Sequence, residues 1–236
     1  MLSRIVLGMG AALFVGACNN TDLVLDPGSG PTVEIDIDFD TDRAWSGGQA
    51  DYSTETAPTD VVFQQGAALP SPFDGTGLYS AGTNRSDDLF LYAKKKYVGL
   101  NPSSLYRLAF ELRILTDVPS GCVGVGGSPG ESVTVKAGAS AIEPMTVETA
   151  GEFRMNIDKG EQTQSGDDGL AIGDLANART DCADGGFELK TLRSTAPLEV
   201  ETDADGALWL FFGIDSGFEA GSELYYVDAT VAATPL

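Results

Sequence analysis

The chain of 236 residues contains no histidine, which leaves Ser-His-Asp and Cys-His nucleophile systems without a base and histidine-bearing zinc or iron sites without a ligand. What remains is carboxylate chemistry. Glu131, Asp158, Asp215 and Glu219 stand beside turn signals, and glycoside hydrolysis needs only two acids at a suitable separation. In a chain with 35 Asp and Glu, four acids near turns say little, so a carboxylate-dependent glycan hydrolase or lyase ranks below a non-catalytic role. The stretch Gly126-Gly127-Ser128-Pro129-Gly130 has the letters of a G-x-S-x-G nucleophile elbow, but an alternating strand pattern follows it where the elbow needs a helix. The same strand disposes of a dinucleotide fingerprint, and no nucleotide or redox cofactor is expected.

Recognition by fixed polar groups is the second chemistry open to these residues. Asn84, Arg85 and Asp87 crowd one polar segment and Asp158, Lys159 and Gln162 another, with Trp45 and Tyr79 as stacking faces. Planar polar side chains beside an aromatic ring suit a hydroxyl-rich ligand: the hydrogen bonds orient it and the ring covers its C–H face. The competing reading is structural, with Arg85 pairing to Asp87 or Asp88 and Trp45 capping the core. Trp209, inside an apolar run, is expected in the core.

The cysteines carry the address. Arg4 and the apolar stretch Ile5 to Val15 form an export signal too short to span a bilayer, and Val15-Gly16-Ala17-Cys18 resembles a bacterial lipobox. Residues 1–17 are then a lipoprotein signal peptide, Cys18 the lipidated residue, 18–31 a flexible Gly/Pro-rich tether, and 32–236 the folded domain. The expected location is the cell envelope, held to the membrane by lipid; in a Gram-negative cell Asn19 implies the outer membrane. Cys122 and Cys182 remain, an even number in an exported chain, and are expected to pair. That bond would close a loop of about 60 residues, worth on the order of 4 kcal/mol in the chain-entropy model. A formal charge of -21 excludes nucleic acid as a partner and favours a glycan or another envelope protein.

These residues must be positioned by strands. Tyr106, Leu108, Phe110, Leu112 and Ile114 alternate with Arg107, Glu111 and Arg113, a period of two that defines a half-buried strand. Val33, Ile35, Ile37 and Phe39 alternate in the same way with Glu34, Asp36, Asp38 and Asp40, so the first strand has a carboxylate-lined outer face. Crowded like charges are costly, and a calcium ion near Asp38, Asp40 or Asp42 would relieve them, although the spacing is not that of an EF-hand. Gly124, Gly126, Gly127 and Gly130 mark a loop corner ahead of Ser132 to Lys136, whose Val133 and Val135 share a face. Further short β-prone runs between turn signals predict an all-β, antiparallel two-sheet sandwich with at most one short helix or helical turn, at residues 170–178.

Several phrases, among them NRSDDLF at Asn84 to Phe90, NIDKGEQ at Asn156 to Gln162 and LWLFFGIDSGFEAGSELYYVD at Leu208 to Asp228, resemble an uncharacterised family of exported bacterial lipoproteins. That resemblance implies no activity. GLNPSSLYRLAFEL and LYYVDATV are also similar to strands of jelly-roll carbohydrate-binding modules of the galactose-binding-like fold. This second resemblance implies that Asp228, in the last strand, joins Asp40 in holding a structural calcium.

Overall fold

The computed structural model describes residues 30–183 and 185–236. The signal peptide, Cys18 and all but the end of the expected tether lie outside the described residues. In chain order the strands are β1 Val33–Asp38, β2 Ser46–Ala50, β3 Tyr52–Ser53, β4 Thr59–Ala68, β5 Thr76–Thr83, β6 Leu89–Val98, β7 Leu105–Thr116 and β8 Val133–Ser140. There follow β9 Thr146–Thr149, β10 Glu152–Met155, β11 Gly169–Asp174, β12 Glu188–Arg193, β13 Leu198–Glu201, β14 Ala207–Ser216 and β15 Gly221–Pro235. No helix occurs among the described residues. Residues 170–178, expected as a short helix, instead supply β11, because Leu170 and Ile172 alternate into the core while β8 provides a partner edge.

Two antiparallel sheets face each other, as the alternation predicts. A seven-stranded sheet runs β12-β7-β15-β5-β4, with β13 also on β7 and β1 also on β15; a five-stranded sheet runs β11-β8-β14-β6-β2. The inward positions of β7 are the five apolar residues read from the sequence, and they meet Leu208, Leu210, Phe212 and Ile214 of β14 in one continuous core. Phe212 is central, with ring centroids 5.7 Å from Trp45, 6.1 Å from Phe39 and 6.4 Å from Phe110. In β15 the phase of alternation changes once. Leu224 and Tyr226 point inward, a bulge at Val227 adds a residue, and Ala229, Val231 and Ala233 point inward after it. Asp228 is thereby turned to the outer face, opposite Arg113.

The five-stranded sheet is apolar on its second face too. Phe90 and Tyr92 of β6 and Phe211 of β14 project away from the core and pack with Ala50, Ile157 and Met155. The residues between β8 and β11 fold back over them, carrying β9 and β10, which join β3 in a small three-stranded sheet. Thr146 fastens this cover: its hydroxyl donates to the Gln49 carbonyl at 2.6 Å and meets the Tyr92 hydroxyl at 3.1 Å. Gly213 admits the Phe90 ring, which a Cβ at that position would strike. The second face of β8, with Thr134 and Lys136 opposite Val133 and Val135, is consequently buried too.

Cys122 and Cys182 are joined, with Cα atoms 5.7 Å apart, so the glycine-rich corner is tied to the turn before β12. Ser120 N donating to Arg179 O at 2.8 Å supports the same junction. Replacing Phe212 by alanine would leave a cavity among three aromatic rings, and urea unfolding should show a loss of about 3–5 kcal/mol with an unchanged m-value.

Candidate functional site

Of three aromatic or polar residues with expected roles, Trp45 follows its structural reading, and Asn84 and Trp209 turn out otherwise. Trp45 is only 3% exposed, and its indole packs on Phe39 and Phe212 and donates to Asp42, so it is core and offers no stacking face. Asn84, 2% exposed, donates to Ser216 O at 2.6 Å and Phe218 O at 3.0 Å; it binds the loop after β5 to the β14–β15 hairpin instead of a ligand. Trp209, expected in the core, lies on the outer face of β14 with the Lys94 ammonium 5.6 Å from its ring. Trp209 is misread because a strand with apolar residues on both sides, as in β14, does not reveal which side faces the larger core. Arg85 is exposed and donates to Ala57 O at 3.2 Å.

Asp87, Asp158, Lys159 and Gln162 do come together, at the corner where the loop after β10 docks on the loop before β6. The Gln162 side chain donates to Asp87 O at 3.0 Å. Asp158 accepts N–H bonds from Asp167 and Gly160, which hold its carboxyl below the usual range, while Asp168 accepts from Asp158 N. An open cleft of about 380 Å³ lies here, lined by Asp51, Asp88, Arg154, Asp158, Lys159 and Glu161. Lys159 is buried, its Nζ 2.7 Å from Asp215 Oδ2 and 2.9 Å from Asp51 Oδ2. Lys136 and Asp215 have fully buried side chains, with Lys136 Nζ 3.5 Å from the same Oδ2.

Burial opposes the Lys159 charge, but Asp215 and Asp51 outweigh it and raise its pKa. Burial draws Lys136 below the ordinary lysine range and raises Asp51. Asp88 is pushed up to about 7, first by burial and then by Asp215 and Asp51. Asp51, Asp215 and Lys136 were not read as members of this cluster. The available signal was Asp215 itself, a charge at the end of the apolar run Leu208 to Ile214.

Of the four acids considered for catalysis, Glu131, Asp158 and Asp215 have structural duties. Glu131 accepts from Gly121 N at 2.7 Å and from the Ser128 hydroxyl, which lower its pKa and make the Gly126 to Gly130 segment a turn. Asp215 belongs to the buried ion cluster and Asp158 ties its own loop.

Tyr79 sits apart, on the outer face of the seven-stranded sheet. It is directly opposite Tyr225 in the β5–β15 register, with ring centroids 4.7 Å apart, and Phe187 meets Tyr225 edge-on at 5.6 Å. The Tyr79 hydroxyl donates to Glu223, which with burial raises the phenol pKa. A groove of about 510 Å³ opens beside this pair, lined by Asp60, Val62, Tyr79, Thr83, Asp117 and Glu223 among others. Burial, assisted by Glu223, raises Asp117. The groove's lining sets Val62, Ala81 and Val118 beside three carboxylates, and no Lys or Arg is among the described residues that line it.

For the expected calcium ligands, the β1–β15 register sets Asp38 opposite Asp228. Asp228 is engaged by Arg113, whose Nε donates to Oδ1 at 2.6 Å with a second bond from Nη2. Asp38 accepts from Asp40 N at 2.9 Å and from Thr41 at 3.0 Å, and Asp40 from the Thr76 hydroxyl. Among the described residues no group of three or more acidic or cysteine side chains converges to hold a metal ion.

Asp88 provides a test of the ion cluster. Its folded pKa is raised, so the stability it contributes is full below about pH 4 and disappears as pH rises through about 7. Asp88→Asn removes that penalty: its melting temperature should exceed wild type by roughly 5 °C at pH 8 and match it near pH 4, measured by calorimetry.

No protein-family model matches the chain, and no curated protein matches it. Solved structures with partial likeness include the enzymatically active domain of tailspike protein 4 of bacteriophage CBA120, at 11% identity and TM-score 0.31, covering 82% of this chain and 20% of that one. The carbohydrate-binding module TmCBM27, which recognises mannan, covers 87% of this chain and 99% of its own at 11% identity and TM-score 0.38. A candidate sugar-binding protein from Bacteroides thetaiotaomicron covers 83% and 91% at 10% identity and TM-score 0.36. The chain spans only about a fifth of the tailspike structure. At these TM-scores the likeness assigns neither a family nor a ligand to this chain.

Proposed function

We propose that the chain is a lipid-anchored, non-catalytic component of the cell envelope whose sandwich binds uncharged glycan in the Tyr79 groove. The anchor follows from the lipobox at Cys18. The observation that supports the groove is the Tyr79–Tyr225 pair beside Glu223, Asp117 and Asp60. A tyrosine face covers the apolar C–H surface of a pyranose ring, and carboxylates accept hydrogen bonds from its hydroxyls. Tyr79 is held for that task, because its hydroxyl is fixed by Glu223 and its ring is braced by Tyr225. The same three carboxylates repel uronate or sulfated sugars, which narrows the ligand to neutral glycans.

A second reading, a protein partner in the envelope, is favoured by one feature. Val123 is 95% exposed and Val125 65%, both at the tip of the disulfide-tied loop. Apolar residues displayed on a fastened loop suit a protein contact.

A glycan array followed by calorimetric titration of the full chain separates these readings. Neutral glycans should bind and polyuronates should not, and Tyr79→Ala should weaken binding by at least about ten-fold, equivalent to about 1.4 kcal/mol. Preference for polyuronates, or full affinity in Tyr79→Ala, would contradict the groove. A blank array together with recovery of one envelope protein that requires Val123 would support the second reading.

A further inference from the structure

We propose that Lys159 and Asp215 become joined by an amide bond between the lysine Nζ and the aspartate Cγ, formed by the folded chain itself with release of one water. The inference is independent of the glycan groove.

Amide formation between two side chains needs an amine held at the carboxyl, a base for its proton, donors for the developing oxyanion, and exclusion of water. Each is present at this corner. Lys159 Nζ lies 2.7 Å from Asp215 Oδ2, and the Asp215 side chain is 0% exposed. Asp51 Oδ2 is 2.9 Å from Nζ, in position to take a proton from it. Gln162 N donates to Asp215 Oδ2 at 2.9 Å and Lys136 Nζ approaches it at 3.5 Å, so two N–H donors converge on one oxygen. Asp215 Oδ1 is buried and has no hydrogen-bond partner among the described residues, so both its lone pairs are free to take up protons. The Phe90 ring lies 4.9 Å from the Lys159 nitrogen, and Phe211 and Ile157 complete an apolar surround.

The step balances without a co-reactant. The Lys159 ammonium passes one proton to Asp51, and the neutral amine attacks Asp215 Cγ. Charge gathers on Oδ2, where Gln162 N–H and Lys136 stabilise it. Oδ1 receives the proton held by Asp51 and a second from the attacking nitrogen, the C–O bond breaks, and water leaves. An ammonium with three N–H bonds and a carboxylate thus become an amide with one N–H bond and H2O. Two buried opposite charges, each costly to desolvate, are replaced by one neutral group. The bond would tie the segment after β10 to β14 and close a covalent loop that overlaps the one closed by Cys122 and Cys182.

The test is tryptic mapping by mass spectrometry of the full chain purified in its folded state. The expected product is a linked pair of peptides, 155–179 and 194–236, uncleaved after Lys159 and about 18 Da lighter than their sum. Lys159→Arg should abolish it, and Asp51→Asn should lower the linked fraction at least ten-fold while circular dichroism shows an intact fold. Cleavage after Lys159 in folded wild-type chain, with no linked pair, overturns the proposal; so does a link that maps to Lys136. The wild-type digest decides even if a variant fails to fold.

Discussion

β14 is apolar on both faces, and the rest of the architecture accommodates that fact. Leu208, Leu210, Phe212 and Ile214 face the seven-stranded sheet, while Phe211, with Phe90 and Tyr92 of β6, faces the other way. A two-layer sandwich would leave those rings in water, at roughly 1.5–3 kcal/mol for each large side chain left exposed. The chain between β8 and β11 supplies the missing cover. Because that cover also closes over Lys136 and Asp215, two charges are enclosed that must be neutralised locally, and Lys159 and Asp51 are the groups that do so.

Covering one sheet leaves the outer face of the other for the proposed ligand groove. On the outer face of the seven-stranded sheet, Tyr79 and Tyr225 are half-buried and held by neighbours, and carboxylates stand beside Val62, Ala81 and Val118. The cleft at the Lys159 corner is different in kind. Its lysine is already paired with Asp51 and Asp215, its Asp158 holds backbone N–H groups, and no aromatic side chain lines it. Tight charge pairing suits a fastening. A fixed aromatic pair beside carboxylate acceptors suits recognition of hydroxyls.

Strand identity was legible wherever one face meets water. The alternation in β7 and β1 reads directly as burial, and the even cysteine pair reads as the observed bond. Legibility failed where both faces are apolar: Trp209 reads as core from its run but lies on the outer face of β14, since only tertiary structure tells core from second cover. β11 was missed as a strand because its alternation is short and bulged between Ala171 and Gly173. Tyr79 was named from its type and context, but its partner Tyr225 belongs to a strand more than a hundred residues away, and no local pattern announces that register. Asp51 was equally silent, because its role depends on Lys159 arriving over it.

The most direct measurement is hydrogen–deuterium exchange of the full chain with and without a neutral oligosaccharide that it binds. The account predicts added protection over the outer face of the seven-stranded sheet, at Tyr79 to Thr83, Asp117 to Val118 and Gly221 to Tyr225, with the residues after β10 slow to exchange in both states. Ligand-induced protection confined to Asp158 to Gln162, with the tyrosine face unchanged, would contradict it and move recognition to the ion-paired corner.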